Sequence, residues 1–206
     1  MNQCTVGGQA VAEKLAAIMG VEAGAATSYK AIVACKGTGG QTRFDYQGIP
    51  SCRACNTLFN GQMACPYGCL GFGDCAAVCP TGAISVVDGT AHVDTEKCVG
   101  CGLCVKACPL GLIRITTPEY PVYTACMNQD GGAQTRKDCS VGCIACGICQ
   151  MNCPNGTIKV LSSKITTEDG KTKRVLDKYV YDLGSCTFCQ LCVITCPHDA
   201  LEFVPD

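Results

Sequence analysis

Apolar positions in this chain fall into short runs rather than long faces. One run has helical spacing: residues 9–19, preceded by Gly7-Gly8 and closed by Gly20, predict a helix. Residues 29–34 then read as a strand that ends at Cys35 and at the turn-forming glycines of 37–40. Further on, β-branched runs at 84–87, 110–115 and 155–161 each follow a glycine just after a Cys-Pro pair, as short hairpin strands do. Residues 105–107 and 193–195 suit one helical turn each. Residues 163–175 read as two polar strands around an Asp169-Gly170 turn, an exposed hairpin. The longest apolar stretch, 10–34, is interrupted by Glu13, Lys14, Glu22 and Lys30 and cannot span a bilayer.

What separates these runs is cysteine. Four cysteine series each close on Cys-Pro: Cys65 to Cys79, Cys98 to Cys108, Cys143 to Cys153 and Cys186 to Cys196. The last three read C-x2-C-x2-C-x3-C-P without deviation. That is the bacterial ferredoxin pattern for cubane [4Fe–4S] clusters, in which the fourth cysteine serves the neighbouring cluster. Two x2 spacers let a tight loop wrap three thiolates round one cluster, and the x3 step carries the fourth away along a helical turn. Proline, with fixed φ and no N–H, suits the turn that releases it. A secreted disulfide scaffold does not repeat x2-x2-x3-Pro. Zinc sites usually pair two CxxC knuckles across a longer gap.

The chain also repeats itself. Shifted by 74 residues, Cys52, Cys65, Cys69, Cys75 and Cys79 fall on Cys126, Cys139, Cys143, Cys149 and Cys153. Asp94-x3-Cys98 lies over Asp182-x3-Cys186 at a shift of 88, the 14 extra residues falling between Lys159 and Tyr181. The expected fold class is α+β: tandem bacterial-ferredoxin-like two-cluster modules, each of two βαβ-like halves. Their expected bounds are 51–120 and 121–206, the second with a hairpin insertion near 162–178. A short N-terminal α/β segment, 1–50, packs on the first module.

Crossing-over assigns the ligands. One cluster takes Cys98, Cys101, Cys104 and Cys79; a second takes Cys143, Cys146, Cys149 and Cys196; a third takes Cys186, Cys189, Cys192 and Cys153. The fourth set is incomplete, because Phe72 stands where the repeat has Cys146. Either Cys65 swings in to join Cys69, Cys75 and Cys108, or that site holds a three-iron cluster. The expectation favours Cys65, and with it four [4Fe–4S] clusters. Cys4, Cys35, Cys52, Cys55, Cys126 and Cys139 are left over. They are small buried hydrophobes, or they build an additional cluster or a redox pair. Cys55 has no counterpart in the repeat and looks incidental.

Composition fits clusters standing in for part of the core: among 206 residues there are 22 cysteines, no Trp and 6% aromatic side chains. A net charge of −1 does not favour nucleic acid through bulk electrostatics, and none is expected as a partner; so many thiolates imply a reducing, cytoplasmic setting. No nucleophile–base pair stands out; His92 and His198 are the only histidines. No catalytic residue is assigned. Gly7-Gly8 follows no strand, so neither a flavin nor a nicotinamide site is expected.

Several stretches together resemble the B subunit of the Rnf complex, in the longer form of anaerobic bacteria. They are Cys4-Thr-Val-Gly-Gly8 before a helix, residues 33–38, Cys52-Arg-Ala, residues 64–75 and residues 139–146. The resemblance covers essentially the whole chain. It implies a peripheral iron–sulfur relay on the cytoplasmic face of the inner membrane. That relay receives electrons from ferredoxin within a ferredoxin:NAD oxidoreductase coupled to sodium or proton movement, with other Rnf subunits as partners and no catalytic centre of its own. Family members usually begin with a membrane helix and another cluster domain, and neither is present. Either the chain is a fragment or it is a naturally short version; membrane contact is then indirect, through partners or a missing segment, and Cys4 is an orphaned fourth ligand. The alternative is a polyferredoxin-type relay subunit of a hydrogenase, formate dehydrogenase or heterodisulfide reductase. A redox-sensing or cluster-storage protein is a third reading.

Overall fold

The computed structural model describes residues 7–25, 27–37, 41–117, 122–166, 170 and 172–203. Cys4 and Asp169 lie outside them. The helical run forms α1 (Gly8–Met19), ended by Gly20 at φ 67°, a left-handed conformation that glycine adopts at little cost. Only Ala12 and Ala16 of this helix are buried, and Ile18 is 80% exposed. No helix among the described residues is long and apolar enough to cross a membrane.

The first module is bracketed by its outermost strands. β1 (Lys30–Val33) pairs antiparallel with β4 (Ile113–Thr116), Val33 opposite Ile113. Between them lie three short helices, α2 (Cys52–Asn56), α3 (Asp74–Ala77) and α4 (Leu103–Ala107). The hairpin of β2 (Ile84–Val87) and β3 (Thr90–Val93) sits between α3 and α4. Asp88 and Gly89 link these strands with φ of 48° and 76°, the two positive values of a tight hairpin turn. By this pairing, residues 30–33 close the first module's sheet although they belong to the expected N-terminal segment.

The second module repeats the scheme. β5 (Val122–Thr124) pairs with β8 (Leu201–Phe203). Inside come α5 (Gly132–Asp138), α6 (Ile148–Met151), the hairpin of β6 (Ile158–Thr166) and β7 (Thr172–Tyr181), and α7 (Leu191–Ile194). The polar strands expected around Asp169-Gly170 are the outer half of β6 and β7, so the insertion lengthens a hairpin that the first module also has. All four two-stranded sheets are antiparallel. The expected βαβ-like halves are therefore not parallel units; each half is a hairpin or a bracket.

Neither module buries much carbon. The first core joins Ala31, Val33, Ala83, Ile84, Ala91 and Ile113 to Cys75, Cys98 and Cys104; the second joins Val122, Ile158 and Leu201 to Cys192. A third cluster, Cys52, Cys55 and Leu70, is covered by Tyr46, Met63, Phe72 and Leu110. Sulfur takes the place that aromatic rings would fill in an ordinary core.

Candidate iron–sulfur sites

The four cysteine loops share one backbone. Ahead of α3, α4, α6 and α7 respectively, Gly71 and Gly73, Gly100 and Gly102, Ala145 and Gly147, and Phe188 and Gln190 all have positive φ. Alternating left-handed residues turn successive N–H groups towards one concavity, which favours an anion. Ala145, Phe188 and Gln190 hold that shape at about 1 kcal/mol each. Gly100 has a second reason to be glycine: a Cβ there would lie 2.4 Å from the Tyr29 carbonyl oxygen, just before β1.

In the second module one expected set shares a single cavity. Cys143, Cys146, Cys149 and Cys196 line one cavity. Burial, with the charges of Cys126, Cys149 and Cys196 adding to it, pushes the Cys143 thiol up to about 11. Burial, and then the charges of Cys186, Cys192 and Cys153, push the Tyr181 hydroxyl up. In the first module Cys79, Cys98 and Cys104 share a core, and Cys104 lies within electrostatic reach of Cys98 and Cys101.

The remaining set differs from the expectation. Cys52, not Cys65, meets Cys69, Cys75 and Cys108 in a single cavity. Burial first, and then the charges of Cys69, Cys52 and Cys108, push the Cys75 thiol up to about 12. The cause is a polar tie that the cysteine spacing does not encode. Asp74, the first residue of α3, accepts from Ser51 Oγ at 2.9 Å and from the Arg53 N–H at 3.2 Å. Ser51 itself caps α2 through the Ala54 N–H. The tie holds Cys52 beside Cys75. The Phe72 ring turns instead onto Tyr46, edge to face at 5.5 Å, and its N–H is directed at Cys52. Cys65 looks into a different cavity with Cys35, Cys126 and Cys139.

Do these residues fit iron–sulfur clusters? Thiolate ligands of a cluster are usually supplied with amide donors, and many sulfurs here have one. Ala31 N–H donates to Cys98 at 3.3 Å, Leu112 to Cys108 at 3.4 Å, Thr157 to Cys153 at 3.3 Å and Ala200 to Cys196 at 3.4 Å. Burial would raise Cys153, but the Thr157 hydroxyl and the amides of Thr157, Asn155 and Ile158 outweigh it and hold the thiol below its ordinary value. Cys79 is lowered in the same way, against burial, by Thr81, Ala83 and Ile84. The hydroxyls of Tyr179 and Tyr181 on β7 are buried without a hydrogen-bond partner, and burial, with the thiols of Cys149 and Cys186 nearby, pushes both up. Each suits donation to a metal-bound thiolate. Among the described residues no three Cys, His, Asp or Glu converge closely enough for a single metal ion; a four-iron body holds its ligands further apart.

Cysteine spacing alone missed Cys52, Asp74, Tyr179 and Tyr181. The Tyr179-Val180-Tyr181 alternation puts both rings on one strand face, a signal readable once β7 is known to run past the insertion. Cys55 is fully buried in the core beside Leu70. His198 Nδ1 lies 3.1 Å from the Ser140 carbonyl oxygen.

A family model described as a 4Fe-4S dicluster domain matches residues 142–200, and one described as a 4Fe-4S binding domain matches residues 91–114. The chain is 38% identical over 205 residues to the B subunit of the Na(+)-translocating ferredoxin:NAD(+) oxidoreductase complex of Acetobacterium woodii, covering 98% of this chain and 57% of that protein. It is 43% identical over 144 residues to the B subunit of the proton-translocating ferredoxin:NAD(+) oxidoreductase complex of Clostridium ljungdahlii, covering 68% of this chain and 51% of that one. The B subunit of the ion-translocating oxidoreductase complex of Methanosarcina acetivorans is 34% identical over 206 residues, covering 98% and 72%. The chain thus spans somewhat over half the length of the first two relatives. With two iron–sulfur domains and this identity along essentially its whole length, the chain belongs to the B-subunit family of the ion-translocating ferredoxin:NAD oxidoreductase, or Rnf, complexes.

Proposed function

We propose that this chain is an electron relay that accepts electrons from reduced ferredoxin and passes them to other subunits of an Rnf-type complex coupled to ion translocation. It would work peripherally, at the cytoplasmic face of the membrane. The observation that carries this reading is the gathering of cysteines from distant loops into sets of four, each beside amide donors. A cubane bound to such a set takes up and releases one electron with little rearrangement.

Four [4Fe–4S] clusters are assigned to the sulfurs of the two repeats. The sets are Cys52, Cys69, Cys75 and Cys108; Cys79, Cys98, Cys101 and Cys104; Cys143, Cys146, Cys149 and Cys196; and Cys153, Cys186, Cys189 and Cys192. The protein's part is to hold these thiolates, to stabilise their charge with N–H groups and the two tyrosine hydroxyls, and to keep water away. Each set takes one sulfur from the other loop of its module, with Cys52 of α2 completing the first set, so each module has two interlocked sites, which suits passage through a module.

The test is rapid mixing of the anaerobically isolated chain with reduced ferredoxin, followed by bleaching of the cluster absorbance. Fast, stoichiometric bleaching is expected, as is co-isolation with Rnf membrane subunits from cells. Bleaching by dithionite but not by ferredoxin would overturn ferredoxin as the donor.

A further inference from the structure

Four cysteines outside these sets meet between the two modules. Cys35 follows β1, Cys65 opens the first cysteine loop, Cys126 follows β5 and Cys139 ends α5; all four line one cavity. The arrangement is two-fold. Cys35 and Cys126 face each other across an isolated antiparallel bridge. Cys35 Sγ accepts from the Cys69 N–H at 3.3 Å, and Cys126 Sγ accepts from the Cys143 N–H at 3.3 Å. Asn128 N–H adds a second donor to Cys126 at 3.4 Å. Cys35, rather than Cys52, is therefore the structural counterpart of Cys126. A Cβ placed on Gly37 would lie 3.1 Å from Cys139 Sγ and 4.0 Å from Cys35 Sγ, so both sulfurs look onto the same glycine.

We propose that Cys35, Cys65, Cys126 and Cys139 bind a fifth [4Fe–4S] cluster, which carries electrons from one module to the other. Four thiols arranged with two-fold symmetry, two of them, Cys35 and Cys126, provided with amide donors, suit a cubane. The ordinary fate of a surplus cysteine, as a small hydrophobe inside one core, explains Cys55 but not sulfurs drawn from both modules into one cavity. Position favours a relay. Cys35 takes its hydrogen bond from Cys69, a ligand of the first module, and Cys126 takes its own from Cys143, a ligand of the second.

Assembly takes a preformed [4Fe–4S]2+ core from the thiolates of a cluster-carrier protein. Four S–Fe bonds to the carrier break, four form to these cysteines, and the four protons lost from their S–H groups are balanced by protonation of the carrier thiolates. In transfer, a reduced cluster of one module goes from the 1+ to the 2+ level as the bridging cluster goes from 2+ to 1+. The bridging cluster then returns to 2+ by reducing a cluster of the other module.

This inference rests on the relay reading of the other four sites, and one experiment separates the two. Iron, acid-labile sulfide and zinc are measured per anaerobically isolated chain, alongside the Cys35→Ala/Cys126→Ala double variant. The expected result is about twenty iron atoms in the parent and about sixteen in the variant, at four per cubane. The variant should also lose spin coupling between the modules in the EPR spectrum of the fully reduced protein. About sixteen in both, or sixteen with one zinc, would overturn the fifth cluster and leave the relay reading standing. No iron in the parent would overturn both. If the variant does not accumulate, the parent's twenty against sixteen still decides.

Discussion

The two modules solve the same problem with different cysteines. In the second, Cys146 sits in the loop between Cys143 and Cys149, and the set needs only its own loop and Cys196. In the first, Phe72 occupies that loop position. Cys52 comes instead from α2, held by Ser51 and Asp74. Yet the loop backbone is the same: Gly71 and Gly73 repeat the positive φ of Ala145 and Gly147. Which cysteines share a cavity is thus set by the fold rather than by any one spacing.

The largest effect should come from removing the displaced ligand. Cys52→Ala is expected to lose about four iron atoms per chain, whereas Cys55→Ala loses none and costs only some packing. Equal iron loss in both would put Cys55 in the set and break the comparison. The reverse change sharpens it. Because the loop is already wound as in the second module, Phe72→Cys placed on Cys52→Ala should restore the missing four. Iron that stays at the lower level would show that the Phe72 ring, packed on Tyr46, fixes more than one side chain.

A smaller effect belongs to the second module alone. The β2–β3 hairpin carries no tyrosine, whereas β7 buries the Tyr179 and Tyr181 hydroxyls, unpartnered, near the thiols of Cys149 and Cys186. Donation to a thiolate stabilises the more negative, reduced cluster. Tyr179→Phe should therefore lower one midpoint potential by some tens of millivolts, against about 59 mV for a tenfold change in a one-electron couple. Redox-titrated EPR reads this directly, and an unchanged or raised midpoint would contradict the assignment.

The smallest concerns Asp74. Burial would raise its carboxyl, but hydrogen bonds from the Arg53 N–H, the Ser51 hydroxyl and the Cys52 N–H hold it below its ordinary value. A depressed carboxyl stabilises fully above its unfolded value of about 3.9 and loses that contribution as pH falls through the folded one. Asp74→Asn should then release iron from the Cys52 set faster than the parent at pH 7. The difference should narrow as pH drops below about 4. A gap that widens on acidification would assign the tie to something other than this carboxylate.

Most of the fold was legible in the sequence, because short strands after Cys-Pro and one helical run leave few alternatives. The strands at 84–87 and 113–116 and the helix ending at Gly20 lie where pattern predicts. The cavity of Cys143, Cys146, Cys149 and Cys196 matches the spacing, since within a loop sequence distance fixes spatial distance. The rest depends on long-range contacts. Aligning Cys52 with Cys126 rested on an equal x12 interval to Cys65 and Cys139, and interval says nothing about which strand precedes a cysteine. Cys35 follows β1 as Cys126 follows β5, a correspondence visible only once β1 pairs with β4 and β5 with β8. Asp74 was equally silent, because an aspartate opening a helix reads as an ordinary first-turn acid.

That bracketing also sets a timetable for biosynthesis. β1 leaves the ribosome early yet has no partner until β4, at Ile113–Thr116, has followed it, and β5 waits in the same way for Leu201–Phe203. Closing loops of that length is slow compared with forming a local hairpin such as β2–β3. The thiols between each pair of bracketing strands therefore stay in open loops until the second strand has emerged. Cofactor delivery has a long window before each bracket shuts, and oxygen has the same window.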